Sequence, residues 1–311
     1  MAEGEIAHFD FSTDVVGLGE GSEEWKVLRD KVRKACEERG CFVVKYDKNV
    51  GEEREELLKG TEELFRLPED AKKKHDSPCR FNGYYRSPFS SLHESFGIDA
   101  SHRPDAARDF SLLMWPPHGN PTFREALQSV SSKMLELNLI VLKLICESFG
   151  LGDYYTVLEQ GKQVTYRLTK YNSPPTKDPT TGLIAHTDKE FLTSLCQSGV
   201  QGLEILSNHG TWIPVSIPSG SFVIIVGDCL KAWSNGRLRA PKHRVIMREE
   251  KERYSWGLFL APGEKLTIEV PRGLVDEDHP LRYRPFTYPN FLTFYNSSNF
   301  SDEALELFAG V

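Results

Sequence analysis

Apolar positions recur every three to four residues along the first half of the chain and predict three main helices. The stretch 22–40 begins with a serine that can cap a helix and ends with a glycine that can stop one. Residues 51–66 and 121–149 repeat the helical spacing. The short apolar run 41–44 lies between the first two helices and predicts a buried strand.

From about residue 163 the pattern changes to short apolar and β-branched runs separated by Gly, Pro and Asn, which predicts strands joined by turns. The predicted strands are 164–171, 192–196, 203–206, 211–215, 221–226, 243–247, 254–260 and 267–270. Many short strands at regular spacing indicate a sandwich or barrel, and residues 301–309 predict a short terminal helix. We therefore predict an α+β protein with a double-stranded β-helix (jelly roll) core and an α-helical N-terminal region packed against it. The mainly helical region is 1–160 and the jelly roll is 161–311, as one integrated unit.

Residues 76–121 have a different composition, rich in Ser, Pro, Gly and aromatic residues. We predict loop and short strand here, and long loops of this kind often carry function.

Composition and charge exclude several classes of protein. The 311 residues are 39% hydrophobic with a net charge of −7, so the basic face that nucleic-acid binding needs is not indicated. The first residues lack the apolar core of a signal peptide, and runs such as 222–226 are too short to span a bilayer. The six cysteines have no metal-binding spacing and are Cys36, Cys41, Cys79, Cys146, Cys196 and Cys229. We expect reduced thiols, a cytoplasmic location and a monomer.

The most informative motif is His186-Thr187-Asp188, followed by His243. On an extended segment His186 and Asp188 point to the same side, because side chains alternate with a period of two. A third ligand from a distant strand would complete a set of two histidines and one carboxylate, which is diagnostic of non-haem Fe(II) oxygenases and leaves coordination positions open.

A second motif, Arg253-Tyr254-Ser255, follows ten residues after His243. In a strand Arg253 and Ser255 share a face and Tyr254 lies on the other. Arginine offers a planar fork to a carboxylate and serine adds a hydroxyl donor. Because a buried arginine needs an anionic partner, a dicarboxylate co-substrate is a candidate ligand.

These motifs, with stretches along nearly the whole chain, give it a specific resemblance. It resembles the plant 2-oxoglutarate/Fe(II)-dependent dioxygenases of the isopenicillin-N-synthase-like superfamily, in the branch of glucosinolate side-chain oxygenases, auxin dioxygenases and deoxypodophyllotoxin synthase. The matching stretches are 35–44, 64–72, 185–195, 199–206, 221–245, 253–262 and 274–292.

The resemblance implies a role for each motif residue. His186, Asp188 and His243 would be the iron ligands. Arg253 and Ser255 would hold the distal carboxylate of 2-oxoglutarate. The family carries Asn-x-Tyr on the preceding strand, where this chain has Thr169 and Tyr171; Tyr171 keeps the family role, and a hydroxyl replaces the amide at Thr169. The implied cofactors are Fe(II), 2-oxoglutarate as co-substrate and O2, with ascorbate as a further candidate, and no catalytic residue is expected beyond the metal centre.

Aromatic residues are candidates for the wall of a substrate pocket. Their number favours a bulky, apolar, aromatic small molecule over a small polar one. The principal candidates are Tyr84, Tyr85, Phe89, Phe110, Trp233, Leu260 and Phe294, with Phe81, Phe96, Met114, Leu258, Phe291 and Tyr295 as further ones.

The expected function is oxidation of a substrate C–H bond with release of succinate and CO2. Ring closure as in lignan biosynthesis, hydroxylation and demethylation all share these residues. The alternatives are an auxin-oxidising dioxygenase, an oxidase on the same scaffold that uses no 2-oxoglutarate, and a non-catalytic jelly-roll binding protein, against which an intact ligand set argues.

Overall fold

The computed structural model describes residues 5–11, 21–46, 50–77, 82–176, 178–298, 301 and 303–311. The helices of these ranges are α1 (Glu23–Glu38), α2 (Val50–Arg66), α3 (Glu69–Lys72), α4 (Pro104–Met114), α5 (Pro121–Ser148), α6 (Gly152–Gln160), α7 (Asp228–Trp233), α8 (Tyr288–Ser297) and α9 (Ala304–Ala309). The strands are β1 (Ala7–Asp10), β2 (Cys41–Lys45), β3 (Gly83–Arg86), β4 (His93–Asp99), β5 (Lys162–Tyr171), β6 (Thr180–His186), β7 (Leu192–Gln197), β8 (Leu203–Leu206), β9 (Trp212–Pro214), β10 (Ser221–Val226), β11 (His243–Met247), β12 (Arg253–Pro262), β13 (Thr267–Ile268) and β14 (Phe286–Thr287).

The long helices begin at side chains that cap them. The Ser22 hydroxyl accepts a hydrogen bond from the backbone N–H of Trp25 at 3.2 Å at the start of α1. Asn120 does the same for the N–H of Phe123 at 3.0 Å, and a proline occupies the first position of α5. The apolar stripe of α5 packs against α1, α2 and the sheet, so this helix forms the centre of the helical layer.

Two sheets face each other across an internal cavity. Among the described residues the larger sheet has the strand order β1-β2-β10-β7-β12-β5-β4-β3, and the smaller has β6-β11-β8-β9. Along β5 the even-numbered Tyr166 and Leu168 belong to the core that includes the helices, whereas the odd-numbered Arg167, Thr169 and Tyr171 line the cavity. The double-stranded β-helix predicted from the sequence, with helices on its outer face, is therefore confirmed.

The predicted helices correspond to α1, α2, α5 and α9, and the predicted strands correspond to strands of the two sheets or of the β13–β14 pair. The prediction for residues 76–121 was wrong in part, because this segment contains β4 and helix α4 as well as the short strand β3. β4 lies between β3 and β5 and is buried on both faces. It is a strand because it pairs with segments far away or across a turn, and its polar local composition does not reveal that pairing. The large sheet contains strands from before and after residue 160. The division of the chain into a helical region 1–160 and a jelly roll 161–311 stays a prediction.

No described helix is both long enough and apolar enough to cross a membrane. The described cysteines are all buried and free, and Cys79 lies outside the described residues.

Candidate metal centre and co-substrate site

The three predicted metal ligands converge at one end of the smaller sheet. His186 ends β6 and His243 begins β11, and the two residues are paired across this antiparallel ladder. Asp188 follows in the loop after β6, with its Oδ1 3.7 Å from His186 Nε2 and 3.6 Å from His243 Nε2. One ligand atom from each residue lies within 4.8 Å of the others, so a single ion can contact all three. The prediction that these residues form one ligand set is confirmed.

Hydrogen bonds to the far side of each ligand fix which atom it offers. His186 Nδ1 lies 2.9 Å from the carbonyl oxygen of Ile184, and His243 Nδ1 lies 3.2 Å from that of Pro241. A carbonyl only accepts, so each Nδ1 carries the proton and each Nε2 keeps its lone pair for a metal. The Thr193 hydroxyl donates to Asp188 Oδ2 at 2.6 Å and leaves Oδ1 free on the metal side.

The electrostatics of the centre favour the states that bind a metal. Burial, and then the neighbouring His243, lowers the pKa of His186 to about 4, which keeps this imidazole neutral. Burial raises the pKa of Asp188, but His243, His186 and the Thr193 hydrogen bond outweigh it, so the pKa of the carboxyl lies below its usual value. Neutral imidazole and ionised carboxylate are the forms that ligate metals, and a set of two histidines and one carboxylate fits Fe(II).

The loop that carries Asp188 is held by the first turn of α7. The backbone N–H of Asp228 donates to the Asp188 carbonyl at 2.8 Å, and that of Cys229 donates to the Glu190 carbonyl at 3.2 Å. Lys189 Nζ forms a buried ion pair with Asp228 Oδ2 at 2.7 Å. These contacts use N–H groups that a helix start leaves without intrahelical partners. Helix α7 and the loop that carries Asp188, the ligand loop, therefore stabilise each other.

Arg253 lies fully buried on β12, with 0% of its surface exposed. Its Nε and Nη2 donate to Gln197 Oε1 at 3.2 and 2.7 Å, while Nη1 has no hydrogen-bond partner among the described residues. No carboxylate of the described chain forms an ion pair with it. A desolvated guanidinium with a free N–H is costly unless an anion binds there, and the site therefore fits an external carboxylate.

The partners predicted for Arg253 surround it. Arg253 is paired with Tyr171 and Ser255 with Thr169 across the β12–β5 ladder. The guanidinium lies 5.0 Å from the centre of the Tyr171 ring, and Tyr254 points to the opposite face, into the core. Burial raises the pKa of Tyr171, and Arg253 opposes that rise, so the phenol stays a neutral hydrogen-bonding group.

A cavity of about 680 Å³ extends from the metal ligands to the residues beside this anion site. Its wall includes the three ligands together with Thr169, Tyr171 and Ser255. Arg253 is not itself a wall residue and contacts the wall through Tyr171. The volume is that of an ordinary small-molecule site.

Of the principal candidates for substrate contact, Tyr85 and Phe89 line the cavity and the other five do not. Strand alternation explains two of them: Tyr84 points away from its neighbour Tyr85 and donates to Glu94 at 2.7 Å, and Leu260 faces the core side of β12. The remaining three, Phe110, Trp233 and Phe294, belong to or pack against the main core.

The further candidates divide in the same way. Tyr295 lines the cavity, whereas Phe96, Met114, Leu258 and Phe291 are buried in the core. Phe81 lies outside the described residues.

Several wall residues were missed in the sequence. They include His93, Arg167, Glu190, Phe259 and Tyr288. Arg167 could have been found, because it has the same strand parity as Thr169 and Tyr171. Phe259 has the parity of Arg253 and Ser255 in the same way. No local signal indicates His93, since it enters the cavity through the pairing of β4 with β5.

Two family models match the chain. The model described as "2OG-Fe(II) oxygenase superfamily" matches residues 153–262, which include the metal ligands and Arg253. The model described as "non-haem dioxygenase in morphine synthesis N-terminal" matches residues 8–130.

Relatives and solved structures agree with these matches over nearly the whole chain. "Probable 2-oxoglutarate-dependent dioxygenase AOP1.2" of Arabidopsis thaliana is 38% identical over 310 residues, covering 96% of this chain and 94% of that protein. The structure of the dioxygenase for auxin oxidation (DAO) in rice has a TM-score of 0.81 and 33% identity, covering 98% of this chain and 100% of that one. Dioxygenase for auxin oxidation 1 from Arabidopsis thaliana, as a 2-oxoglutarate binary complex, has a TM-score of 0.77 and 28% identity, covering 89% and 100%.

Proposed function

The chain belongs to the 2-oxoglutarate/Fe(II)-dependent dioxygenases, and from that membership we propose that it oxidises a C–H bond of a bulky aromatic small molecule of plant specialised metabolism. Succinate and CO2 are the co-products. Two observations together support this proposal most directly: three metal-ligand side chains converge in the cavity wall, and a buried arginine without an anionic partner lies beside Tyr171 of the same wall.

Fe(II), when bound with 2-oxoglutarate and O2, supplies the oxidant that removes a hydrogen atom from the substrate. The chain supplies binding and orientation. His186, Asp188 and His243 would hold the metal through one face. Arg253 and Ser255 would hold the distal carboxylate of 2-oxoglutarate, with Tyr171 beside them and the Thr169 hydroxyl on the same wall.

The wall of the cavity supports an aromatic substrate. Tyr85, Phe89 and Phe259 come from the larger sheet or its loops, and Tyr288 and Tyr295 come from α8. Aromatic side chains provide large contact areas and preferred ring-packing geometries. Hydroxylation, demethylation and ring closure are equally compatible with this wall, since they differ in the fate of the substrate radical.

An auxin-type substrate, an aromatic carboxylic acid, is the second candidate. Arg167 lines the cavity, and its guanidinium lies 5.7 Å from the centre of the Phe259 ring. A cation beside an aromatic face suits a ligand that combines a ring with a carboxylate. The similarity to the auxin-oxidising dioxygenase of rice adds to this candidate.

The test is turnover of a panel of plant aromatic compounds with Fe(II), 2-oxoglutarate and ascorbate, followed by mass spectrometry. We expect succinate to form together with a product that has gained oxygen or lost two hydrogens. The His186→Ala variant controls for uncatalysed oxidation. A product formed without 2-oxoglutarate would contradict the proposal in favour of an oxidase.

Paired compounds separate the two substrate candidates. If the substrate is an aromatic acid, the free acid reacts much faster than its methyl ester, and Arg167→Leu removes the difference. Equal turnover of acid and ester would exclude recognition of the substrate through its carboxylate. The cytoplasmic location and the monomeric state remain predictions, which fractionation and size-exclusion chromatography would check.

A further inference from the structure

His93 is a buried histidine in the cavity wall that the roles assigned above leave unused. It is the first residue of β4 and is 6% exposed. Its Nδ1 is buried and has no hydrogen-bond partner among the described residues. A buried polar group of this kind costs free energy unless a partner from outside the chain binds it.

The ring lies against the proposed co-substrate site. His93 is paired with Tyr171 across the β4–β5 ladder, and the two rings stack with centres 5.3 Å apart and planes 16° from parallel. The same Tyr171 ring has the Arg253 guanidinium 5.0 Å from its centre. A molecule that reaches from Arg253 towards the metal ligands therefore passes the tyrosine on which His93 is stacked.

The surrounding charge favours an anion. Burial, followed by the positive charges of Arg167 and Arg253, lowers the pKa of His93 to about 3, so the ring is neutral. A neutral imidazole has one N–H to donate and one nitrogen to accept. Two guanidinium groups in its vicinity make a carboxylate a better ligand than a cation.

The next pair on the same face of this ladder offers only short hydroxyl donors. Ser95 is paired with Thr169, and the Ser95 hydroxyl is also buried without a partner among the described residues. Thr169 ends at a hydroxyl close to the backbone, whereas an imidazole extends farther into the cavity. His93 is thus a longer uncharged donor than either Ser95 or Thr169.

We infer that His93 is a positioning residue for 2-oxoglutarate, to which its imidazole donates a hydrogen bond. This inference rests on the proposed function. We favour 2-oxoglutarate over the organic substrate as the partner, because His93 is stacked on the same Tyr171 ring that lies beside the Arg253 guanidinium. Arg167, four residues from Tyr171 along β5 and beside Phe259, also acts on His93, so the organic substrate is the alternative that the test must separate.

The test measures binding of 2-oxoglutarate to the Fe(II)-loaded protein without oxygen. The visible charge-transfer absorption of Fe(II) chelated by a keto acid reports binding independently of turnover. His93→Leu keeps a similar volume without a hydrogen bond, and His93→Gln keeps a donor. We expect Leu to raise the Kd of 2-oxoglutarate roughly tenfold and to shift the absorption band, because one hydrogen bond is lost from a desolvated site. Gln should stay within about threefold of the parent.

A second substitution tests whether the lost hydrogen-bond donor faces 2-oxoglutarate. Thr169→Asn places an amide on the neighbouring strand β5, so in the His93→Leu background it should recover part of the affinity for 2-oxoglutarate. His75→Leu is the matched control, since His75 is a part-buried histidine bonded to the Gly97 carbonyl and packed on Phe110 away from the cavity. It should leave the Kd unchanged within about twofold, and thermal unfolding monitors folding in every variant.

The outcomes distinguish failure of the role inferred for His93 from failure of the proposed function. An unchanged Kd and an unchanged band in His93→Leu, with weakened binding in Arg253→Ala, would overturn the role of His93 alone. A change confined to the KM of the organic substrate would overturn it as well. A parent protein that binds Fe(II) but not 2-oxoglutarate would instead overturn the proposed function.

Discussion

The two histidines of the metal centre owe their orientation to backbone carbonyl groups, and the aspartate owes its orientation to Thr193. Each contact is made by the atom that does not face the metal. The ligand atoms are therefore arranged before any ion binds, which reduces the conformational entropy that binding must overcome.

We expect His186→Ala, Asp188→Ala and His243→Ala each to abolish turnover. Removal of one ligand lowers metal affinity and disrupts the geometry that leaves positions open for 2-oxoglutarate and O2. Succinate release and Fe(II) binding by equilibrium dialysis are the measurements. Full activity in any one variant would contradict the assignment of that ligand.

Arg253→Ala should raise the apparent KM for 2-oxoglutarate on the order of 10²-fold, because a charge-assisted pair in a desolvated site is lost. The matched control is Arg248→Ala, which removes an arginine that pairs with Glu204 outside the cavity. Steady-state kinetics with varied 2-oxoglutarate provide the check. An unchanged KM in Arg253→Ala would refute its role as the anion site.

Helix α7 and the ligand loop form a unit that neither sequence segment would form alone. The loop carbonyls satisfy the N–H groups of the helix start, and the Lys189–Asp228 ion pair is buried between them. Gly227 lies at their junction, where an added Cβ would come 2.1 Å from the Glu190 carbonyl oxygen. A side chain at this position would push the loop away from the helix.

Gly227→Ala should therefore destabilise the protein by about 1–3 kcal/mol through overpacking and weaken Fe(II) binding as Asp188 is displaced. Gly51→Ala is the control, because nothing lies within 4 Å of a Cβ added on this exposed turn of α2. Denaturant unfolding and metal titration measure the two effects. A Gly227→Ala protein with parental stability and Fe(II) affinity would show that the contact is not needed.

Buried and partly buried histidines outside the metal centre link the stability of the whole molecule to pH. Burial, followed by Arg167, lowers the pKa of His93 to about 3, and burial also lowers the pKa of His75 and His102. The usual pKa of histidine is about 6.5. At pH values between this pKa and the lowered pKa values of the folded protein, the unfolded chain binds more protons than the folded one. The free energy of unfolding therefore falls as pH decreases through this window.

We expect the metal-free protein to lose stability progressively from about pH 6.5 towards pH 4, where histidine protonation of the unfolded chain dominates. His93→Leu should flatten this slope, because it removes one of the titrating groups. Urea unfolding at a series of pH values tests both statements. A slope that is the same in His93→Leu and the parent would mean that His93 is not buried and neutral in solution.

Much of the fold and of the reacting centre could be predicted from local patterns. Helical spacing marked α1, α2 and α5, and strand alternation assigned Arg253 and Ser255 to one face and Tyr254 to the other. The ligand motif needed only the residue types and an extended backbone. The prediction of residues 76–121 as loop and short strand missed most of β4 and all of α4, since these depend on packing against β5 and α5.

The sequence by itself determined the class of chemistry, because the ligand types and the period of a strand are properties of neighbouring residues. Only the tertiary structure decided which aromatic side chains reach the cavity: Tyr85 does, and Tyr84 and Trp233 do not. It alone brought His93 next to Tyr171 and joined α7 to the ligand loop. Burial and strand pairing are set by contacts between residues far apart in the chain, which local periodicity does not contain.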